Sequence, residues 1–173
     1  MHLSEYNRIA VIGSPGSGKS FLARQIAEQT GHPLIHMDYE IWQPGWEQPS
    51  REERIAMEQK WMAGERWLID GHWGSTLALR FAAADLVIYL DLPRGLCTWR
   101  VLRRHGTKRP DLRPDVIEGS IFSKDFAEFL GFVWTHRKVT VPKVLALHAQ
   151  HPNVAFIRLT SRKAVRDFEN KIE

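Results

Sequence analysis

The chain has 173 residues, of which 43% are apolar and 25% charged; this suits one globular domain with a real core and excludes a disordered or collagenous chain. A formal charge of +4 with pI near 9.4 suits an anionic ligand and is too mild to point to nucleic acid. One cysteine, Cys97, excludes an intramolecular disulfide and a cysteine-based metal cluster. With no apolar run of ~20 residues and no signal-peptide layout in MHLSEYNRIAVIG, a cytoplasmic protein without membrane association is expected.

The first apolar run, RIAVI at 8–12, is bounded by Gly13 and predicts a buried strand. Residues 19–29 place Phe21, Leu22 and Ile26 on one helical face, with a stop near Gly31 and Pro33. A second short strand, 34–37, is expected to end at Asp38, followed by a loop carrying Trp42, Pro44, Gly45, Trp46 and Pro49. Ser50 and Glu53 have the spacing of a capping box and open a helix. RWLI at 66–69 predicts a third strand ending at Asp70-Gly71, 75–83 a helix, and LVIYL at 86–90 a fourth strand ending at Asp91. Pro93 opens a helix toward Arg104.

Phe126, Phe129, Leu130, Val133 and Trp134 mark an amphipathic helix over 125–137, and a separate helical piece is expected near 142–150. A fifth strand at 154–159 and a helix at 162–172 close the chain. Strands alternating with helices imply a parallel sheet covered on both faces, a three-layer α/β/α architecture.

Between the first strand and first helix stands GSPGSGKS, residues 13–20, which is the G-x-x-x-x-G-K-[ST] pattern of a phosphate-binding loop. Gly13, Gly16 and Gly18 let the backbone curl so that N–H groups face a phosphate. Ser14, Pro15 and Ser17 complete the loop, and Phe21 follows it. The helix that begins there presents uncapped N–H groups and a positive dipole end. Lys19 is expected on the β- and γ-phosphates and Ser20 on Mg²⁺, so ATP and magnesium are the expected cofactors. Asp70 and Asp91, each ending an apolar strand, both suit a carboxylate that orients water on the metal.

Arg100, Arg103, Arg104, Lys108, Arg109 and Arg113 crowd a stretch punctuated by Gly106, Pro110 and Pro114. Guanidinium forks match phosphate oxygens in pairs, although a run of charge also suits a merely solvated loop.

The motifs resemble those of the adenylate-kinase-like P-loop kinases. Asp70-Gly71 looks like that family's Asp-Gly pair, and DLVIYLDLP at 85–93 like its fourth strand and following turn. Within that group the chain is similar to the DNA topology modulation (FlaR-related) proteins. The residues carrying that likeness are His36-Met37-Asp38, Trp42-Gln43-Pro44-Gly45-Trp46, Trp67 to Gly71, Thr76-Leu77 with Arg80, and Arg109-Pro110-Asp111. The resemblance implies a five-stranded sheet of order 2-3-1-4-5 and a lid-like insertion at about 105–125. It implies that Arg100 and Arg104 grip ATP, with Arg109 closing over the phosphates, and it favours Asp70 as the metal-side carboxylate.

Gly74 stands where adenylate kinase carries its AMP-binding arginine, so AMP is expected to be a poor acceptor. Asp38 is expected to hold an acceptor hydroxyl as base, with Trp42, Trp46, Gly71, Trp73 and Arg80 lining the acceptor side. Two functions compete. One is a kinase moving the γ-phosphate of ATP to a small, nucleotide- or nucleoside-like acceptor. The other is an NTP-binding regulatory module with slow hydrolysis, linked to DNA topology. The arginines cluster in a lid-like segment rather than over one face, which favours the kinase and gives no support to DNA as a partner. A monomer or weak homodimer is expected.

Overall fold

The computed structural model describes residues 2–116 and 119–172. Five strands form one parallel sheet: β1 (Arg8–Gly13), β2 (Leu34–His36), β3 (Trp67–Asp70), β4 (Leu86–Leu90) and β5 (Ala155–Leu159). Their order is β2-β3-β1-β4-β5, as expected. Successive side chains along a strand face opposite ways, and the core divides accordingly. Ile9, Val11, Leu68, Leu86, Ile88 and Leu90 pack on one face against α1 (Lys19–Thr30) and α7 (Arg162–Ile172). Ala10, Ile12, Trp67, Ile69, Val87 and Tyr89 pack on the other. That face is covered by α2 (Met37–Ile41), α3 (Arg51–Met62), α4 (Leu77–Ala83) and α6 (Lys124–Gln150). A third cluster, of Leu92, Cys97, Val101 and Val133, joins α5 (Arg94–Arg104) to α6.

Several local signals act as the sequence suggests. Ser50 accepts the Glu53 N–H at 3.2 Å while Glu53 accepts the Ser50 N–H at 2.8 Å, the capping box at the start of α3. Gly31 ends α1 with φ 69°, a left-handed turn that costs glycine little. Two expectations change. The chain leaves β2 at His36 and enters α2 directly, so Asp38 lies in the first turn of a short helix rather than at a strand end. The pieces expected at 125–137 and 142–150 are one helix of 27 residues running through Pro142. Proline inside a helix costs ~3 kcal/mol; here Val133, His136, Thr140 and Val144 stay buried on one continuous face, and that packing holds the helix together across the missing N–H.

Parallel strands bring their carboxyl ends to one edge, where loops form sites. Val11 and His36 flank Asp70 in register, and Gly13 pairs with Leu90. The phosphate-loop motif, Asp70 and Asp91 therefore share that edge. The structure separates the two aspartates. Asp91 is buried, and both its oxygens are taken, by Arg137 at 2.7 Å from α6 and by Arg158 at 2.6 and 3.0 Å from β5. It is a structural tie, whereas Asp70 keeps one buried oxygen without a partner among the described residues. Asp91→Ala is expected to lower stability by about 2 kcal/mol, since both arginines are partly hydrated already. Nucleotide affinity should stay unchanged; a denaturant midpoint and a binding titration check the two halves.

Candidate active site

The 13–20 loop folds as a cradle that only glycine permits. A Cβ on Gly16 would lie 2.3 Å from the Cys97 carbonyl oxygen, and one on Gly13 would lie 2.8 Å from that of Leu90. Gly18, at φ 96°, is the N-cap of α1 and offers no side-chain acceptor, so the first-turn N–H groups stay available for an anion. Ser14 and Ser17 are buried, Pro15 is half-buried, and Lys19 is only 7% exposed. Phe21 is exposed beside the loop.

Arg100, expected to grip ATP, donates instead to the carbonyls of Ser17 at 3.0 Å and Gly16 at 3.4 Å. It braces the cradle from outside, because the same curl that turns N–H groups toward a phosphate turns carbonyls toward α5. Arg104, half-buried, ends α5, and its carbonyl accepts the Thr107 N–H at 3.0 Å.

On the metal side, Asp70 is 3% exposed. Its Oδ2 accepts from His36 Nδ1 at 2.9 Å, while Oδ1 is buried without a hydrogen-bond partner among the described residues. Among those residues no group of three or more His, Cys, Asp or Glu could hold a metal ion. Magnesium needs no such cage where phosphates and water supply most ligands. An unsatisfied buried carboxylate oxygen at the carboxyl edge, together with the Ser20 hydroxyl, fits that mode.

Ser20 donates its hydroxyl to Asp111 Oδ2 at 3.1 Å. Arg109 donates to the same oxygen at 2.9 Å and approaches Asp38 Oδ2 at 3.9 Å. Burial raises the Asp111 carboxyl's pKa, but Arg109, Lys19 and the Ser20 hydrogen bond outweigh this and hold it well below the usual carboxylate range. Asp111 therefore ties its segment to the last residue of the phosphate-loop motif. Residues 117 and 118 of the expected lid lie outside the described residues.

Of the residues expected to line an acceptor, Asp38, Trp42, Trp46 and Trp73 lie together. Trp73 Nε1 donates to Asp38 Oδ1 at 3.0 Å. Trp42 packs against Trp46 and Trp73, with ring centroids 5.4 and 5.3 Å away. Gly71 is buried, with a position where a Cβ would meet Met37 at 2.7 Å.

Arg80 does not join them. It is fully buried, bonded to Glu58 at 2.6 Å and to the His72 carbonyl at 2.5 Å, with its Nη1 2.9 Å from Met37 Sδ. It sits beneath the 71–76 loop and steadies it. Its helix faces the core, which turns a long cationic side chain inward. Arg54 stands beside the tryptophans, its guanidinium 5.5 Å from the Trp73 ring centroid. Nothing in the α3 pattern singled it out from its neighbouring charges.

His72 and His136 stack edge to face with centroids 4.6 Å apart. Burial, then neighbouring positive charge that includes Lys19, keeps both neutral, with His136 pushed down to about 4. His136 was legible only as one position of a buried helical stripe.

Burial also raises the Glu58 carboxyl more than Arg80 and Thr76 lower it, and lowers the Arg80 guanidinium. Removing one partner of such a pair strands a charge. Glu58→Ala is therefore expected to cost about 3–5 kcal/mol in chemical denaturation. For His136, the unfolded chain takes up a proton near pH 6.5 and the fold resists until about pH 4. Stability should fall as pH drops through that window. His136→Gln should make this acid limb shallower by one proton, measured from denaturation midpoints at each pH.

No family model matches this sequence, and no curated protein matches it. Solved structures do. A shikimate kinase from Acinetobacter baumannii in complex with shikimate superposes with TM-score 0.60 at 19% identity, over 96% of this chain and 90% of that one. A shikimate kinase from Bacteroides thetaiotaomicron gives TM-score 0.57 at 16% identity, over 96% of both chains. A sugar kinase from Janibacter gives 0.53 at 17%, over 96% of this chain and 89% of that one. With the strand order and the 13–20 cradle, these likenesses show that the chain has the P-loop α/β/α fold.

Proposed function

We propose that the chain is an ATP-dependent phosphotransferase that moves the γ-phosphate to a hydroxyl of a small acceptor. The observation that carries this is Arg109, a single guanidinium that reaches both the carboxylate bonded to the phosphate loop and the carboxylate on the acceptor side. Donor and acceptor groups thus lie within the span of one side chain. The kinase fold of the structural neighbours supports the reading, and so does the chemistry of the 13–20 cradle.

In this reading the N–H groups of Gly16, Gly18, Lys19 and Ser20 hold the phosphates and Lys19 neutralises charge that grows on the β–γ bridge and the transferring group. Magnesium, when bound, would draw charge from the β- and γ-phosphates; Ser20 and Asp70 are the residues that would hold it. Asp38, fixed by Trp73, aligns the acceptor hydroxyl and takes its proton as the new O–P bond forms and the bond to the leaving ADP breaks. Trp42, Trp46 and Trp73 form an aromatic wall, and Arg54 is placed to anchor an anionic group on the acceptor. The segment from about 105 to 125 acts as the lid, with Arg104 and Arg109 over the phosphates, and excludes water. The closer likeness to the adenylate-kinase-like group and its FlaR-related proteins remains part of this proposal. A carboxylate at position 38 repels a phosphate and accepts a hydroxyl, so AMP is a poor acceptor.

The test is a screen of nucleosides, nucleotides and small hydroxylic compounds for ADP release from Mg·ATP; absence of acceptor-dependent release, or efficient use of AMP, overturns the respective claims. Lys19→Ala should lose at least ~10²-fold in turnover with the fold intact. Asp38→Asn keeps the shape but not the base. It should lower turnover of the best acceptor and leave ATP affinity nearly unchanged, as read by steady-state kinetics and calorimetry.

A further inference from the structure

P-loop chemistry asks two things of the residue after the lysine: a lone pair for the metal, and a partner for its hydroxyl hydrogen. A serine hydroxyl has one donor and two acceptor sites. In this chain the hydrogen goes to Asp111 at 3.1 Å, a residue 91 positions further on. The strand-end aspartate is engaged elsewhere, with His36 on Oδ2 and a bare Oδ1. Asp111 is 7% exposed and pinned by Arg109 at 2.9 Å. Leu112 and Val116, buried within the same segment, anchor it further. A second link, Arg113 Nη1 to Gln43 Oε1 at 3.5 Å, ties the segment to the tryptophan loop.

We propose that Asp111 is the positioning residue for the Ser20 hydroxyl, so that docking of the 105–116 segment and formation of the metal site are one event. This rests on the nucleotide reading above. With its O–H directed at Asp111, Ser20 keeps its lone pairs for a metal. A disordered or undocked segment leaves the hydroxyl free to rotate. Binding linkage then works both ways: whatever docked Asp111 adds to metal affinity, the metal adds to docking. Arg109 extends the coupling to Asp38, since the guanidinium that pins Asp111 also faces the acceptor carboxylate.

The experiment compares ATP affinity with EDTA and with saturating magnesium, by calorimetry, in the wild type, Asp111→Ala and Asp111→Asn. Loss of a residue that orients a metal ligand costs about 10–100-fold in metal affinity. Asp111→Ala should therefore lose about that factor from the magnesium enhancement, while binding ATP in EDTA at least as tightly as the wild type, because a negative charge beside the phosphates is gone. Asp111→Asn retains an acceptor oxygen and should fall between. An unchanged enhancement in Asp111→Ala overturns the proposal, and so does tighter Mg·ATP binding, which would make Asp111 a competitor for the site.

In the wild type alone, amide exchange of residues 107–112 should slow more with Mg·ATP than with ATP in EDTA. Equal protection overturns the proposal without reference to any variant's folding. A wild type that binds no ATP under either condition overturns the nucleotide reading itself. A wild type with normal magnesium enhancement that Asp111→Ala leaves untouched overturns only the role of Asp111.

Discussion

The carbonyl oxygen of Cys97 stands where a side chain on Gly16 would have to be, 2.3 Å from the ideal Cβ position. Much of the site follows from that close approach. It brings α5 against the phosphate loop, which lets Arg100 reach the Gly16 and Ser17 carbonyls. With its carbonyls held from outside, the loop turns its N–H groups inward, toward the start of a helix that no side chain caps. A phosphate cradle is an arrangement of backbone dipoles, and here the dipoles are held by packing from α5 as much as by the glycines' freedom.

The charged side chains of this carboxyl edge fall into two populations. Asp91 with Arg137 and Arg158, and Glu58 with Arg80, join elements across the core, and their oxygens and nitrogens are largely committed to one another. Burial makes such pairs costly to break. Asp70, Asp111 and Asp38 make one or two side-chain hydrogen bonds each among the described residues, and Asp70 keeps a bare buried oxygen. Groups with unused capacity at the edge of a sheet are those able to accept a ligand, whereas a saturated ion pair has little left to offer. The same criterion moves Arg80 from the acceptor side to the scaffold: a guanidinium bonded to Glu58 and the His72 carbonyl supports the loop that presents Trp73.

Neutral histidines beside Lys19 fit this division. His72 and His136 are kept uncharged by burial and by the positive field around the cradle.

How far the sequence determined this protein is clear element by element. Strand 86–90, read from its apolar run, the helix from 162 to 172 and the Ser50–Glu53 capping box lie where the sequence put them, since each rests on residues close in the chain. The phosphate loop was legible for the same reason: all its parts lie within eight consecutive residues. The sheet order came from resemblance and agrees with the structure. What periodicity missed was the course of the chain through Pro142, where packing on a buried face overrides a local breaker. The fate of each charged side chain also needed the tertiary structure. Arg80 and Arg109 are both arginines with acidic neighbours in space, yet one is sealed under a loop and the other spans the site. Burial and pairing depend on elements dozens of residues apart, and no short window of sequence contains the partner that decides them.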